Sequence, residues 1–309
     1  MDSSANNAPT GGDPLPLAVR QSKLWQWATP ALSVAILLVV VWQFRTLHIT
    51  EVLSAVPGNP AFWICFALYY CIGILADFII FRRLWNLPFE GLIALTRKSV
   101  SNALLVDYIG EAYFYSWARK KVKMETSPFG AVKDVAILSA LVSNIVTLVM
   151  MAMAYPFYEY LDFGVTGSAV AASVGVIVVI STLVFVFGKR LFSLTKPQLW
   201  WIAGIHSVRL ILSNVLLALC WSLALPDVSL GWWLVLSTSR MLLGRLPLFT
   251  NGDVVFAGLV VFLIGTDTEI KLLMALMAAL ALLTHLVVGA VLAIGDLVTV
   301  NRDPKEEVV

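Results

Sequence analysis

The residues best suited to chemistry in this chain are charged ones set inside apolar stretches. Arg209 stands near the middle of an apolar run, with His206 about one turn before it and Ser213 one turn after. At that spacing the three share one helical face. A guanidinium at the centre of a bilayer costs at least about 2.5–3.5 kcal/mol, even on the most lenient scale. That cost implies an anionic ligand, a wet cavity, or an internal ion pair with Asp77 as partner. Arg97, Arg240 and Arg245 carry the planar fork that matches phosphate oxygens. Arg245 equally fits a snorkelling role at the base of a hairpin. Glu111 and Asp253 each directly follow a glycine, and an aromatic stands three positions beyond each, Phe114 and Phe256. The two acids suit proton carriage, charge balance for the arginines, or capping of a half-helix. Asn102 and Asn251 lie in the same two polar stretches.

The elements that must position these residues follow from composition. Of 309 residues, 60% are hydrophobic and 13% charged, against roughly 25% charged in a soluble domain. The mean hydropathy is +0.87. Too little polar surface is available for a water-soluble globule, so the chain reads as an all-α polytopic membrane protein. About 20 apolar residues cross the hydrocarbon core, and six stretches qualify: Trp27–Phe44, Ala61–Phe81, Ala131–Tyr155, Gly167–Phe187, Leu199–Leu225 and Leu272–Ile294. Two further segments, 92–118 and 230–265, are apolar but interrupted by charge, Gly or Pro. A lipid-facing helix does not tolerate such interruptions. Residues 1–24 read as a disordered cytoplasmic tail and 298–309 as a second cytoplasmic tail. Cys65, Cys71 and Cys220 sit inside apolar runs without metal-type spacing and read as small buried side chains.

Lys and Arg placement sets the orientation. With the N-terminus cytoplasmic, most of the 21 basic residues fall on cytoplasmic segments, including Arg82, Arg83 and the Arg119, Lys120, Lys121, Lys123 cluster. The outer loops carry acids instead, such as Glu159, Asp162 and Asp227. Both termini then lie inside, which requires that each broken segment return to the side it entered, as a re-entrant hairpin. The order is span, span, broken segment, span, twice over. Residues 25–163 form the first half and 164–297 the second, in opposite orientations, which is the inverted repeat common in secondary transporters. Unpaired backbone at a hairpin tip is satisfied only against protein or in a water-filled cavity. Half-helix N-termini at such tips favour anions.

At the two broken segments the sequence resembles the transmembrane region of lysylphosphatidylglycerol synthases and the related flippase-like integral membrane proteins. The resemblance rests on Arg97, Asn102, Gly110-Glu111 and Arg119 in the first half. In the second half it rests on Leu246-Pro247 and Thr250-Asn251-Gly252-Asp253. It departs from the family at Phe256 and Ala257, where an Arg-Glu pair is usual, and at Asp107-Tyr108-Ile109, where Pro-Gly is usual. The resemblance implies lipid handling in a bacterial-type inner membrane. With no aminoacyl-transferase domain after the last span, lysine transfer is not expected.

The expectation is therefore a multi-pass lipid transporter, or flippase, that moves or binds an anionic phospho- or glycolipid. Its substrate-binding residues would be Arg97, Asn102, Glu111, His206, Arg209, Arg240, Arg245, Asn251 and Asp253. The alternative is a non-catalytic lipid-binding subunit that supports a lipid-modifying or polysaccharide-assembly enzyme; a membrane transferase is a third reading. With three histidines and no zinc, P-loop or nucleophile-elbow pattern, neither catalytic residues nor a metal or cofactor is expected. Nor does the charge pattern suit nucleic acid. A homo-oligomer, or a partner lipid-modifying enzyme, fits the same reading.

Overall fold

The computed structural model describes residues 56–105, 108–121, 128–158, 175, 177–179, 181–182, 191–243, 256 and 268–300. Among them the chain is helical, with no strand. The helices are α1 (Pro60–Trp85), α2 (Glu90–Leu104), α3 (Ile109–Lys121), α4 (Pro128–Tyr158), α5 (Lys196–Ala224), α6 (Leu230–Leu243) and α7 (Thr268–Val300). Four of them are long and apolar enough to cross a membrane: α1, α4, α5 and α7. They coincide with four of the six expected spans. The spans expected at Trp27–Phe44 and, for most of its length, Gly167–Phe187 lie outside the described residues, as do the expected tails at 1–24 and, beyond Val300, 301–309; residues 298–300 instead continue α7.

Local signals explain where the long helices begin and end. Asn59 accepts a hydrogen bond from the Ala61 N–H at 3.0 Å, Pro60 occupies the first turn, and Arg82 and Arg83 occupy the last. Each favours a helix at its position. Asn86 closes α1 in the left-handed region at φ 51°. At the start of α5 the Thr195 N–H donates to Gln198 at 3.0 Å, and Pro197 stands in the first turn. Just upstream, the fully buried Asp134 of α4 accepts from the backbone N–H groups of Ser193 at 2.6 Å and Leu194 at 2.7 Å. That acid ties the approach to α5 onto α4.

The long helices turn apolar faces outward. Ile64, Leu68, Leu75 and Ile79 of α1 are exposed, as are Val208, Ile211, Leu212, Val215 and Leu219 of α5 and Val287, Val291, Ile294 and Val298 of α7. These positions recur at helical spacing, so each forms an exposed apolar stripe among the described residues. Lipid is the medium in which such stripes are stable. Inside, α1 and α5 run antiparallel. Phe62 and Phe66 share a buried cluster with Leu217, Cys220 and Trp221. At the other end Arg83 lies over the Trp201 ring, 4.5 Å from its centroid. Trp233 is buried against Trp221.

The first broken segment is a helical hairpin. α2 and α3 run antiparallel, and Val100 and Leu104 of α2 pack on Leu282 and Leu286 of α7. Phe114 of α3 is fully buried against Phe81 and Trp85 of α1. Of the second broken segment, α6 and the helical residue Phe256 are described; Phe256 stacks near Trp221 of α5.

Candidate functional site

Between α1, the α2–α3 hairpin, α4 and α5 lies a cavity of about 410 Å³. Its wall is polar: Asp77 from α1, Lys98 and Asn102 from α2, Glu111 from α3, Ser139 and Ser143 from α4, and His206 and Arg209 from α5. Two carboxylates and two permanent cations thus face one space between the helices.

Lys98 bridges the carboxylates. Its Nζ lies 2.6 Å from Asp77 Oδ2 and 3.4 Å from Glu111 Oε1, and all three side chains are largely buried. Asn102 Nδ2 donates to Glu111 Oε2 at 2.8 Å, while its Oδ1 accepts from the Gly110 N–H at 2.7 Å. An amide on α2 therefore caps an otherwise orphaned donor at the start of α3, and the same amide holds the acid. This close approach depends on Gly110. A Cβ there would stand 2.2 Å from the Lys98 carbonyl oxygen and 2.6 Å from Asn102 Oδ1. At the turn, Tyr108 takes φ 70° and is exposed, a left-handed conformation uncommon for a bulky residue.

The opposite wall is under-satisfied. His206 is fully buried beside the Val135 backbone, and neither ring nitrogen makes a hydrogen bond of good geometry. Arg209 donates from Nη2 to Ser139 Oγ at 2.9 Å, but its Nε is buried without a partner. Unsatisfied buried groups cost about 1–3 kcal/mol each. Two of them one turn apart, beside a cavity, mark a place where a polar ligand or water would be stabilised. Ser213, the third residue expected on this face, is outside the cavity lining.

Of the residues expected to bind substrate, Asn102, Glu111, His206 and Arg209 therefore come together. Arg97 does not join them. It is buried, donates to Tyr113 Oη at 2.9 Å and to the Leu292 carbonyl at 3.2 Å, and so ties the hairpin to α7. Arg240 donates to Tyr69 Oη beside a separate pocket of about 20 Å³ lined by Trp221, Phe256 and Met274. Arg245, Asn251 and Asp253 lie outside the described residues. The pairing of Asp77 also differs from expectation: it pairs with Lys98 rather than Arg209. Lys98 was missed because it neighbours Arg97 in sequence, and adjacent residues on a helix point about 100° apart. His285, Asn144 and Asn214 bond to residues distant in sequence: to Tyr70 at 3.1 Å, Ser181 at 3.2 Å and Ser237 at 2.9 Å.

Among the described residues, the fold and site together define an all-helical arrangement with four membrane-length helices and a charged cavity between them. Compared with known protein families, with curated proteins and with solved structures, the chain matches none.

Proposed function

We propose that the protein is an integral membrane lipid transporter of the flippase type, with the head group of an anionic phospho- or glycolipid held in the cavity between α1, the α2–α3 hairpin, α4 and α5. The observation that carries this reading is the pair of buried, incompletely satisfied groups on α5, the His206 imidazole and the Arg209 Nε, in the lining of that cavity. A guanidinium edge and an imidazole one turn apart suit phosphate oxygens. The N-terminus of α3 adds a positive partial charge. A volume of about 410 Å³ falls within the usual range for small-molecule sites, roughly 300–1,000 Å³. The resemblance to the transmembrane region of lysylphosphatidylglycerol synthases points to the same class of ligand.

We further propose six spans and two re-entrant hairpins in an inverted repeat, with both termini cytoplasmic, in a bacterial-type inner membrane. α2 has 15 residues, about 22 Å of helix at 1.5 Å per residue, short of the roughly 30 Å hydrocarbon core. Its tip lies beside Leu282 and Leu286, midway along α7. The packing has a two-fold character: α2 rests on α7 as α6 rests on α4, and α1 meets α5. Pro60, Trp63 and Asp77 of α1 recur at one constant offset as Pro197, Trp200 and Asn214 of α5. Asp77 bonds to α2 and Asn214 to α6, while Phe114 packs on α1 and Phe256 on α5.

Thermal unfolding in detergent tests the head-group site. Phosphatidylglycerol should raise the midpoint of the wild type well above the effect of phosphatidylcholine, and Arg209→Gln should remove the difference. An equal response of the wild type to both lipids would overturn the assignment.

A further inference from the structure

The charge balance of the cavity bears on how it binds, given the reading above that it holds an anionic head group. Empty, its permanent charges cancel: Asp77 and Glu111 against Lys98 and Arg209. A phosphodiester placed at Arg209 and His206 brings one negative charge to a partly buried cluster whose own charges already balance. An uncompensated charge is disfavoured to the extent that the site is withdrawn from water. The compensation must come from the water phase or from a change within the cluster.

The cluster has a place for it. Lys98 is shared unequally: Asp77 holds its ammonium at 2.6 Å, while Glu111 Oε1 stands off at 3.4 Å. The other oxygen of Glu111 takes a neutral donor, Asn102 Nδ2. Glu111 is thus the carboxylate with least to lose on protonation. The charged and titratable groups around it are Asp77 from α1, Lys98 from α2, Tyr108 at the turn, and His206 and Arg209 from α5; α4 contributes the hydroxyls of Ser139 and Ser143.

We propose that each anionic head group enters this cavity together with one proton, which Glu111 takes up. The proton comes from water and forms an O–H bond at Glu111 Oε1; no other covalent bond changes. Lys98 then remains paired with Asp77, and one of its three N–H donors is released from Glu111 toward the phosphate. Proton and lipid are co-substrates of one site, so a proton gradient drives lipid occupancy.

Calorimetric titration of the full-length protein in a non-ionic detergent with dihexanoyl phosphatidylglycerol tests this, run at pH 6, 7 and 8 in two buffers of different ionisation heat. The phosphodiester itself keeps its charge over this range. The buffer dependence of the heat should report one proton taken up per lipid. Affinity should fall by up to about tenfold for each unit rise in pH. Glu111→Gln, which mimics the protonated acid and keeps an oxygen for Asn102, should abolish both effects. Wild-type uptake is read independently of how well that variant folds. Saturable binding without proton uptake would overturn the proposal. So would loss of the pH dependence in His206→Gln with its retention in Glu111→Gln, since the proton would then sit on the imidazole. Absence of saturable binding at every pH would instead refute the head-group reading, and the proton site with it.

Discussion

Replacing Gly110 by alanine should pry the hairpin apart, and the size of the effect follows from the contact. The new Cβ would lie 2.2 Å from the Lys98 carbonyl oxygen, where ordinary contact begins at 3.4 Å, so α3 must retreat from α2 by about 3.4 − 2.2 = 1.2 Å. The obstructing atom is backbone, so no rotamer change relieves it. That retreat stretches the Gly110–Asn102 hydrogen bond from 2.7 Å beyond bonding range, and it pulls Glu111 from Lys98. Overpacking costs about 1–3 kcal/mol and an orphaned buried N–H about 1–3 kcal/mol, offset by at most about 1 kcal/mol of helix propensity. A net loss of about 1–6 kcal/mol should lower the unfolding midpoint by roughly 2–12 °C, at about 2 °C per kcal/mol for a chain of this size. Tryptophan fluorescence in detergent reads it, because Trp85 and Trp117 stack on Phe114 of the hairpin. Gly204→Ala is the control, since a Cβ there meets nothing within 4 Å. Equal midpoints for the two variants would refute the argument.

Three further outcomes follow from the same geometry. Lys98→Met strands two buried carboxylates and should destabilise the protein by about 3–5 kcal/mol; Asp77→Asn added to it should restore part of the loss, and an unchanged midpoint in the single variant would contradict the ion-pair assignment. Asp134→Ala removes the charged acceptor of the Ser193 and Leu194 N–H groups, a loss of about 3 kcal/mol. Hydrogen exchange at those two amides should then accelerate at least tenfold, and unchanged exchange would show that Asp134 does not hold the α4–α5 connection. With the native cysteines replaced, Lys121→Cys and Asp227→Cys should react with a membrane-impermeant maleimide from opposite faces of a vesicle, because they lie at opposite ends of the antiparallel α1–α5 pair; labelling from one face would exclude the arrangement.

The long helices were legible in the sequence because apolar length alone decides them: α1, α4, α5 and α7 fall where the runs do. The Gly110-Glu111 pair was legible too, since a glycine before an acid in a broken apolar stretch marks a turn that packs closely. Arg209 was identified by the cost of its burial, and it does face the cavity. What the sequence could not supply was facing. Arg97 and Lys98 are neighbours with similar chemistry, and only the packing of α2 between α1 and α7 determines which one meets the cavity. Lys98 meets Asp77 across 21 positions, and Arg240 meets Tyr69 across 171. No local pattern encodes pairings of that range in helices whose outward sides are as apolar as their inward ones.

Leaflet exchange tests the central claim most directly. Full-length protein is placed in liposomes carrying fluorescently labelled phosphatidylglycerol, and the outer leaflet is quenched with dithionite. The account predicts that wild type makes the inner-leaflet label accessible far faster than protein-free liposomes do. It also predicts that Arg209→Gln, folded to the same extent, loses most of that acceleration. Wild-type exchange no faster than in protein-free liposomes, for phosphatidylglycerol and for polyprenyl-linked glycolipid alike, would contradict transport. Were such a protein still to bind the lipid, the cavity would belong to a lipid-binding subunit instead.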